Sequence, residues 1–161
     1  MPLVIAFNGS PRLHGNTSEL IHAVFAELQK ENIDTEMIHV GAQNVYACTA
    51  CRECYEQKNH TCVLPDDAFN RWLQKMMKAD GIILGSPTYV TDVTPQIKAL
   101  IDRACLVSRA NNDFLKRKIG AAVVAVRRAG SLHAFDTINH FFTITQMIIP
   151  GSCYWNMGIG R

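Results

Sequence analysis

Between Leu3 and Ser18 an unbroken apolar run turns through a hydroxyl-rich loop into a helix, and no other stretch restricts the fold as much. Leu3 to Phe7 has no polar alternation, which suits a central parallel strand buried on both faces, and Asn8-Gly9-Ser10-Pro11 ends it. Asn16 with Glu19 three residues on has capping-box spacing, and Leu20, Ile21, Val24, Phe25 and Leu28 recur at helical intervals behind it. The unit is therefore strand, short loop, helix.

The loop carries its own chemistry. Backbone N–H groups at the helix N-terminus, the hydroxyls of Ser10, Thr17 and Ser18, the Asn16 amide and the Arg12 guanidinium can converge on one anion, and phosphate is the obvious guest. The same residue types also populate ordinary loops and caps; their placement at the first strand-to-helix turn favours the phosphate. No Gly-Lys-Ser/Thr follows, so this is not a nucleotide-triphosphatase loop, and the spaced glycines of a dinucleotide fingerprint are absent. With several hydroxyls, one Arg and no Lys, the loop suits a single phosphate monoester, which points to a mononucleotide such as FMN.

Further units follow in the same alternation. Thr35 to Val40 predicts a second strand. Ala42 to Cys62 is polar and cysteine-bearing with no sustained period. Pro65 and two aspartates then open a helix with Phe69, Trp72, Leu73, Met76 and Met77 on one face. Ala79 to Gly85 predicts a third strand, ending in the loop Ser86 to Asp92, and a helix starts near Pro95 with Ile97, Leu100, Ile101, Ala104 and Cys105 inward. Lys118 to Val126 predicts a fourth strand closed by Arg127, Arg128, Ala129 and Gly130. A helix over Leu132 to Gln146 and a fifth strand from Met147 complete the pattern. Strands alternating with helices give an α/β fold, a flavodoxin-like doubly wound five-stranded parallel sheet of order 2-1-3-4-5. Ligands in that order sit beyond the C-terminal ends of strands one, three and four, at Ser10 to Ser18, Ser86 to Asp92 and Arg127 to Ser131.

At 161 residues the chain predicts a single domain, residues 1–161, with a cysteine-rich loop at 42–64. Its formal net charge is +2 and its basic residues are scattered, which disfavours a nucleic-acid partner; no apolar run is long enough to span a bilayer. The start carries no basic region followed by an apolar stretch, so the expected address is the cytoplasm. Of six cysteines, four fall within fifteen residues as Cys48-x2-Cys51-x2-Cys54-x7-Cys62. In a reducing compartment such a cluster points to a metal site before a disulfide framework. Three sulfurs on one small loop fit three corners of a four-iron four-sulfur cluster, and the fourth closes it. Zinc sites more often pair two separated knuckles. A metal-free loop or a disulfide remains the alternative, and Cys105 reads as core. His14, His133 and His140 have no metal-site spacing and read as solvated or capping residues. No Cys-x5-Arg is present, which removes a tyrosine-phosphatase reading.

Gly-Ser-Pro-Arg-x-x-Gly-Asn-Thr at Gly9 to Thr17 and Gly-Ser-Pro-Thr-Tyr at Gly85 to Tyr89, each after a predicted strand, resemble the NADPH-dependent FMN reductase and iron–sulfur flavoprotein group over nearly the whole chain. The resemblance implies that Ser10, Arg12, Asn16, Thr17 and Ser18 hold the FMN phosphate and that Pro87, Thr88, Tyr89 and Val90 line the isoalloxazine. It implies that Arg127, Ala129 and Gly130 complete the ring pocket. Without it, a half-exposed loop aromatic is the alternative reading of Tyr89. The iron–sulfur flavoproteins carry a similar compact cysteine motif, so Cys48, Cys51, Cys54 and Cys62 are implied cluster ligands, although no proline directly follows Cys62. The implied activity is FMN-dependent electron transfer between NAD(P)H or a reduced protein donor and an acceptor. It also implies a homo-oligomer, dimer or tetramer, in which the cluster of one subunit faces the FMN of another. The alternative is a non-enzymatic flavodoxin-like carrier; such carriers tend to be strongly acidic, so a charge of +2 favours the reductase.

The fold normally places a helix after strand five. With strand five ending near Tyr154, only Trp155 to Arg161 remain, too few to form it. The sequence therefore predicts either a polypeptide continuing past Arg161 or a neighbouring subunit over the exposed sheet face.

Overall fold

The computed structural model describes residues 1–64 and 68–152. The elements are β1 (Leu3–Asn8), α1 (Asn16–Lys30), β2 (Asp34–His39), α2 (Glu53–Gln57), α3 (Phe69–Lys78), β3 (Gly81–Pro87), α4 (Pro95–Ala110), β4 (Ile119–Ala125) and α5 (Ser131–Ile144). The four strands form one parallel sheet in the order β2-β1-β3-β4, the flavodoxin-like winding that the alternation predicts.

Strand periodicity divides the core between the two faces. Ile5, Phe7, Ile82 and Leu84 point to one side, where α3, α4 and α5 bring Phe69, Leu73, Leu100, Ile138 and Phe142. Ala6 and Ile83 point to the other, where α1 brings Ile21 and Phe25. The α3 residues Phe69, Trp72, Leu73 and Met76 are all buried at i, i+3, i+4, i+7 spacing, so one apolar stripe docks the helix. Each such fully buried side chain contributes about 1.5–3 kcal/mol relative to exposure.

Several expectations shift. Helix α1 begins at Asn16 itself with Gly15 as its N-cap and no side-chain cap, so the Asn16–Glu19 capping box does not form. Gly15 takes the cap because a Cβ there would stand 3.3 Å from Arg12 Cβ, inside a tightly curled loop. Strand β3 runs on through Ser86 and Pro87, which pair with Val124 and Ala125, so the following loop starts at Thr88. Short helix α2 inside the cysteine loop has no periodic signal to announce it, being five residues long. Among the described residues the predicted fifth strand shows one parallel bridge, Ile148 beside Ile119. Pro150, lacking an N–H, then offers no donor to the ladder. The Pro65 opening of the third helix, the end of strand five at Tyr154 and the tail to Arg161 lie outside the described residues.

Candidate functional site

Three strand ends crowd together at the C-terminal edge of the sheet. The Gly9 N–H donates to the Gly85 carbonyl at 2.7 Å, and the N–H groups of Val40 and Gly41 donate to the Asn8 carbonyl at 2.8 and 3.0 Å. Glycine is what permits this approach. A Cβ on Gly41 would stand 2.3 Å from the Gly9 carbonyl oxygen, and one on Gly9 would stand 2.2 Å from Ile97 Cγ1. Beyond Gly9, Ser10 N–H donates to Asn8 Oδ1 (2.9 Å) and Arg12 N–H to Ser10 Oγ (3.1 Å), two side-chain turns that curl the loop. The first intrahelical bond of α1 runs from Glu19 N–H to the Gly15 carbonyl at 3.1 Å. The preceding N–H groups, of Asn16, Thr17 and Ser18, thus face the loop with no side-chain cap across them.

The five residues expected around a phosphate all lie on this turn, with different freedom. Arg12 and Asn16 are exposed, while Ser10, Thr17 and Ser18 are buried. The Thr17 methyl packs toward Gly85, 3.1 Å from where a Cβ there would be. Ser18 Oγ lies 4.0 Å from Met37 Sδ on β2, which Asn8 Nδ2 also approaches at 3.8 Å. The Ser18 hydroxyl therefore faces the sheet flank, and its N–H is what it offers the loop.

The second loop leaves β3 at Thr88, whose N–H donates to the Ala125 carbonyl at 2.9 Å. Tyr89 and Asp92 exchange backbone bonds of 2.8 and 3.0 Å across a two-residue turn in which Val90 and Thr91 hold φ of +49° and +63°. A left-handed β-branched residue costs of order 1–3 kcal/mol and belongs to ligand sites more than to plain turns. Val90 is 97% exposed and Tyr89 46%. Beneath them Thr88 Oγ1 is buried without a hydrogen-bond partner among the described residues.

The third loop docks on the second. Gly130 caps α5 at φ +91°, and a Cβ on it would stand 2.9 Å from Thr91 Cγ2. Arg127, Arg128 and Ala129 before it are exposed. Asp92 joins the loops: its Oδ1 accepts from the Val93 N–H (2.7 Å) and the Thr137 hydroxyl (2.8 Å), and its Oδ2 lies 3.7 Å from His133 Nε2. Burial pushes the Asp92 carboxyl up, but these hydrogen bonds, His133 and Lys98 outweigh it and hold the group below its usual range. His133, read from sequence as solvated or capping, thus stands beside Asp92 at the mouth of the site.

On the opposite side of the sheet edge, Cys48, Cys51, Cys54 and Cys62 line a single pocket, walled by Leu106, Val107 and Arg103 of α4. All four are free thiols in this structure. Left-handed Ala50 and Arg52, with the Tyr55 N–H on the Arg52 carbonyl (2.8 Å), curl the first three cysteines inward. Asn70 of α3 fixes the fourth on both sides, accepting from the Cys62 N–H (2.8 Å) and donating to its carbonyl (2.9 Å). Burial pushes the Cys54 thiol up; its backbone contact lowers it, and the nearby Cys62, Cys51 and Cys48 push the same way as burial. Among the described residues no three of His, Cys, Asp and Glu close around a single ion.

Sequence reasoning missed Asn70, whose role depends on α3 passing the cysteine loop, and a cleft on the β2 side lined by His14, His22, His39, Ser18 and Met37. The spacing of Ser18 and His22, one helical turn apart, was its single local signal.

A doubly wound parallel sheet of order β2-β1-β3-β4 with three loops gathered at its C-terminal edge is of the flavodoxin-like class. The profile of the NADPH-dependent FMN reductase family matches residues 2–161, and the chain belongs to that family. It is an NAD(P)H-dependent flavin oxidoreductase. An iron–sulfur flavoprotein of Methanocaldococcus jannaschii is 36% identical over 165 aligned residues, covering 98% of this chain and 83% of that protein. One from Methanosarcina thermophila is 33% identical over 150, covering 92% and 76%. Among solved structures, RosB with a bound riboflavin-phosphate intermediate superposes with a TM-score of 0.69 at 17% identity over 100% of this chain and 68% of that one, a likeness of fold. No helix among the described residues is long and apolar enough to cross a membrane.

Proposed function

We propose that this chain passes electrons between NAD(P)H, or a reduced protein donor, and an acceptor through FMN, with a four-iron four-sulfur cluster held by Cys48, Cys51, Cys54 and Cys62. The observation that carries the reading is the tie between loops: Gly9 bonded to Gly85, and Gly130 packed on Thr91, hold an uncapped helix N-terminus, an orphaned Thr88 hydroxyl and the Tyr89 ring at one sheet edge.

Both groups fit the residues present. The N–H groups of Asn16, Thr17 and Ser18 and the Arg12 guanidinium hold the phosphate, with Ser10 shaping the loop and the Asn16 side chain available beside it. Pro87, Thr88, Tyr89 and Val90 line one side of the ring, and Arg127, Ala129 and Gly130 complete it. FMN supplies hydride acceptance and electron storage when bound. The Thr88 hydroxyl, unpartnered among the described residues, would donate to a ring heteroatom. Tyr89 and Val90 keep water from the ring face. Arg127 places a positive charge near it, which favours an anionic reduced cofactor.

In the cysteine pocket the four thiols must ionise to bind iron, and their mutual repulsion makes metal the stabilising counter-charge. The iron–sulfur names of the relatives support this assignment. Arg103 to Val107 lie eight to twelve residues along α4 from Pro95, roughly 12–18 Å at 1.5 Å per residue, from the flavin edge. A neighbouring subunit of a dimer or tetramer, presenting its own FMN, shortens the electron path. Free cysteines that serve as ligands belong in a reducing compartment, the cytoplasm.

The test is direct. Purified protein retains FMN rather than FAD, and Arg12→Ala weakens FMN by about 1.5–3 kcal/mol, the range for a hydrogen bond to a charged group. An unchanged dissociation constant removes Arg12 from the site; retention of FAD overturns the monophosphate reading.

A further inference from the structure

The turn from Tyr89 to Asp92 adopts a shape that its own residues oppose. Val90 and Thr91 both hold positive φ, +49° and +63°, the pattern of a two-residue hairpin turn that glycine and asparagine favour, and both carry a branched Cβ that penalises it. A conformation that the local sequence disfavours has to be held by what surrounds it. The third loop and α5 supply such contacts. Gly130 packs on Thr91, so closely that a Cβ there would stand 2.9 Å from Thr91 Cγ2. The Thr137 hydroxyl donates to Asp92 Oδ1 at 2.8 Å, an oxygen that also accepts from the Val93 N–H at 2.7 Å. Thr137 is half-buried on α5, one helical turn after His133, whose Nε2 lies 3.7 Å from Asp92 Oδ2. Helix α5 is itself anchored by the buried Ala134, Ile138, Phe141 and Phe142, so the hydroxyl is presented from a rigid support. A plain structural tie accounts for this hydrogen bond. It leaves unexplained why the turn at its end spends free energy on presenting the exposed Val90 and half-exposed Tyr89, which add nothing to the core.

We infer that Thr137 is a positioning residue for the flavin ring: through Asp92 it holds the Tyr89 to Asp92 turn in its left-handed form and so keeps Tyr89 and Val90 set for the isoalloxazine. The inference rests on the proposal that these two residues line the ring. Thr137 itself lies on α5, outside the three loops, and touches the site through one carboxylate oxygen of a residue 45 positions earlier. With that hydrogen bond the turn is set before the cofactor arrives. Without it the turn relaxes toward conformations that Val90 and Thr91 prefer, and apparent affinity falls with the fraction of chains in which the turn is set.

The experiment uses the full chain, prepared flavin-free and titrated with FMN, as wild type, Thr137→Val and Thr137→Ser. Flavin fluorescence gives the affinity, the visible circular dichroism of bound FMN reports the surroundings of its ring, and thermal melts of the flavin-free chain report the fold. The account expects the Val variant, which keeps the shape and removes the hydroxyl, to bind FMN about two- to tenfold more weakly, the net worth of one hydrogen bond, with an altered dichroism band. The Ser variant, which keeps the hydroxyl, should match wild type in both. An altered band at wild-type affinity also supports the inference, since the surroundings of the ring have then moved. Wild-type affinity and band in the Val variant overturn it, whatever the melting temperature does, and leave Thr137 a structural role. Weaker binding with an unchanged band also overturns it, because the loss then lies away from the ring. So does a Ser variant that falls as far as the Val variant. If the Val variant lacks a cooperative melt, Asp92→Ala, which removes the acceptor in place of the donor, replaces it under the same criteria. Wild type that binds no FMN refutes the flavin site itself, a result distinct from all of these.

Discussion

Gly9 and Gly85 meet backbone to backbone, the N–H of one donating to the carbonyl of the other at 2.7 Å, and this bond ties the loop after β1 to the end of β3. It follows from residue size. The Gly9 position is closed to a side chain by Ile97, and Gly85 is covered by Ile21 and Thr17. The loop after β1 and the end of β3 are therefore one rigid edge, the preorganisation that the proposed cofactor spanning both loops requires.

Gly41→Ala tests that edge from the β2 side. The new methyl would meet the Gly9 carbonyl and the Ser10 backbone at 2.3 Å, atoms that cannot rotate away. Overpacking of this kind costs about 1–3 kcal/mol. Thermal melts should show the loss of stability, and flavin-fluorescence titration should show weaker FMN binding. A variant that keeps both properties contradicts the rigid-edge account.

Thr88→Val separates binding from folding. Its hydroxyl is buried and unpartnered among the described residues, so replacing it by a methyl should leave the melting temperature of flavin-free protein unchanged or raise it. FMN affinity should fall by about 0.5–1.5 kcal/mol, the net worth of one hydrogen bond. Loss of apo stability with unchanged FMN affinity assigns Thr88 a purely structural role.

Asp92 predicts an acid-side dependence. Burial pushes its folded carboxyl up, but hydrogen bonds and neighbouring positive charge outweigh that and hold it below the usual carboxylate range. A depressed folded value contributes stability above the unfolded carboxylate range, and that contribution is lost as pH falls through the folded one. Melting temperature should thus drop as pH falls below about 4. Asp92→Asn keeps an oxygen to accept from Thr137 and Val93 but cannot titrate, so its decline over that window should be shallower. Identical profiles contradict the assignment.

Most of the sheet was legible because burial on both faces leaves a plain mark: Leu3 to Phe7, Ile82 to Leu84 and Ala121 to Val124 are unbroken apolar runs, and each became a strand. The hydroxyl-rich loop was legible as a loop. Which groups it offers was not, since the orientation of Ser18 toward Met37 depends on how α1 rests against β2. The cysteine spacing pointed to a metal site and the four thiols line one pocket, yet nothing local points to Asn70 or Arg103, which reach that pocket from helices distant in sequence. Of the fifth strand the described residues show only the Ile148–Ile119 bridge, since Met147 to Ile149 is apolar but Pro150 withholds the donor that a longer ladder there needs.

The central claim is that this chain is a flavin oxidoreductase that takes electrons from a nicotinamide donor. FMN-loaded protein mixed anaerobically with excess NADPH or NADH in a stopped-flow spectrometer tests it most directly. The account predicts that the visible flavin band bleaches with a rate that rises with, then saturates in, the nicotinamide concentration. A band that neither nicotinamide bleaches, but that a reduced ferredoxin does, contradicts it and identifies an electron carrier instead.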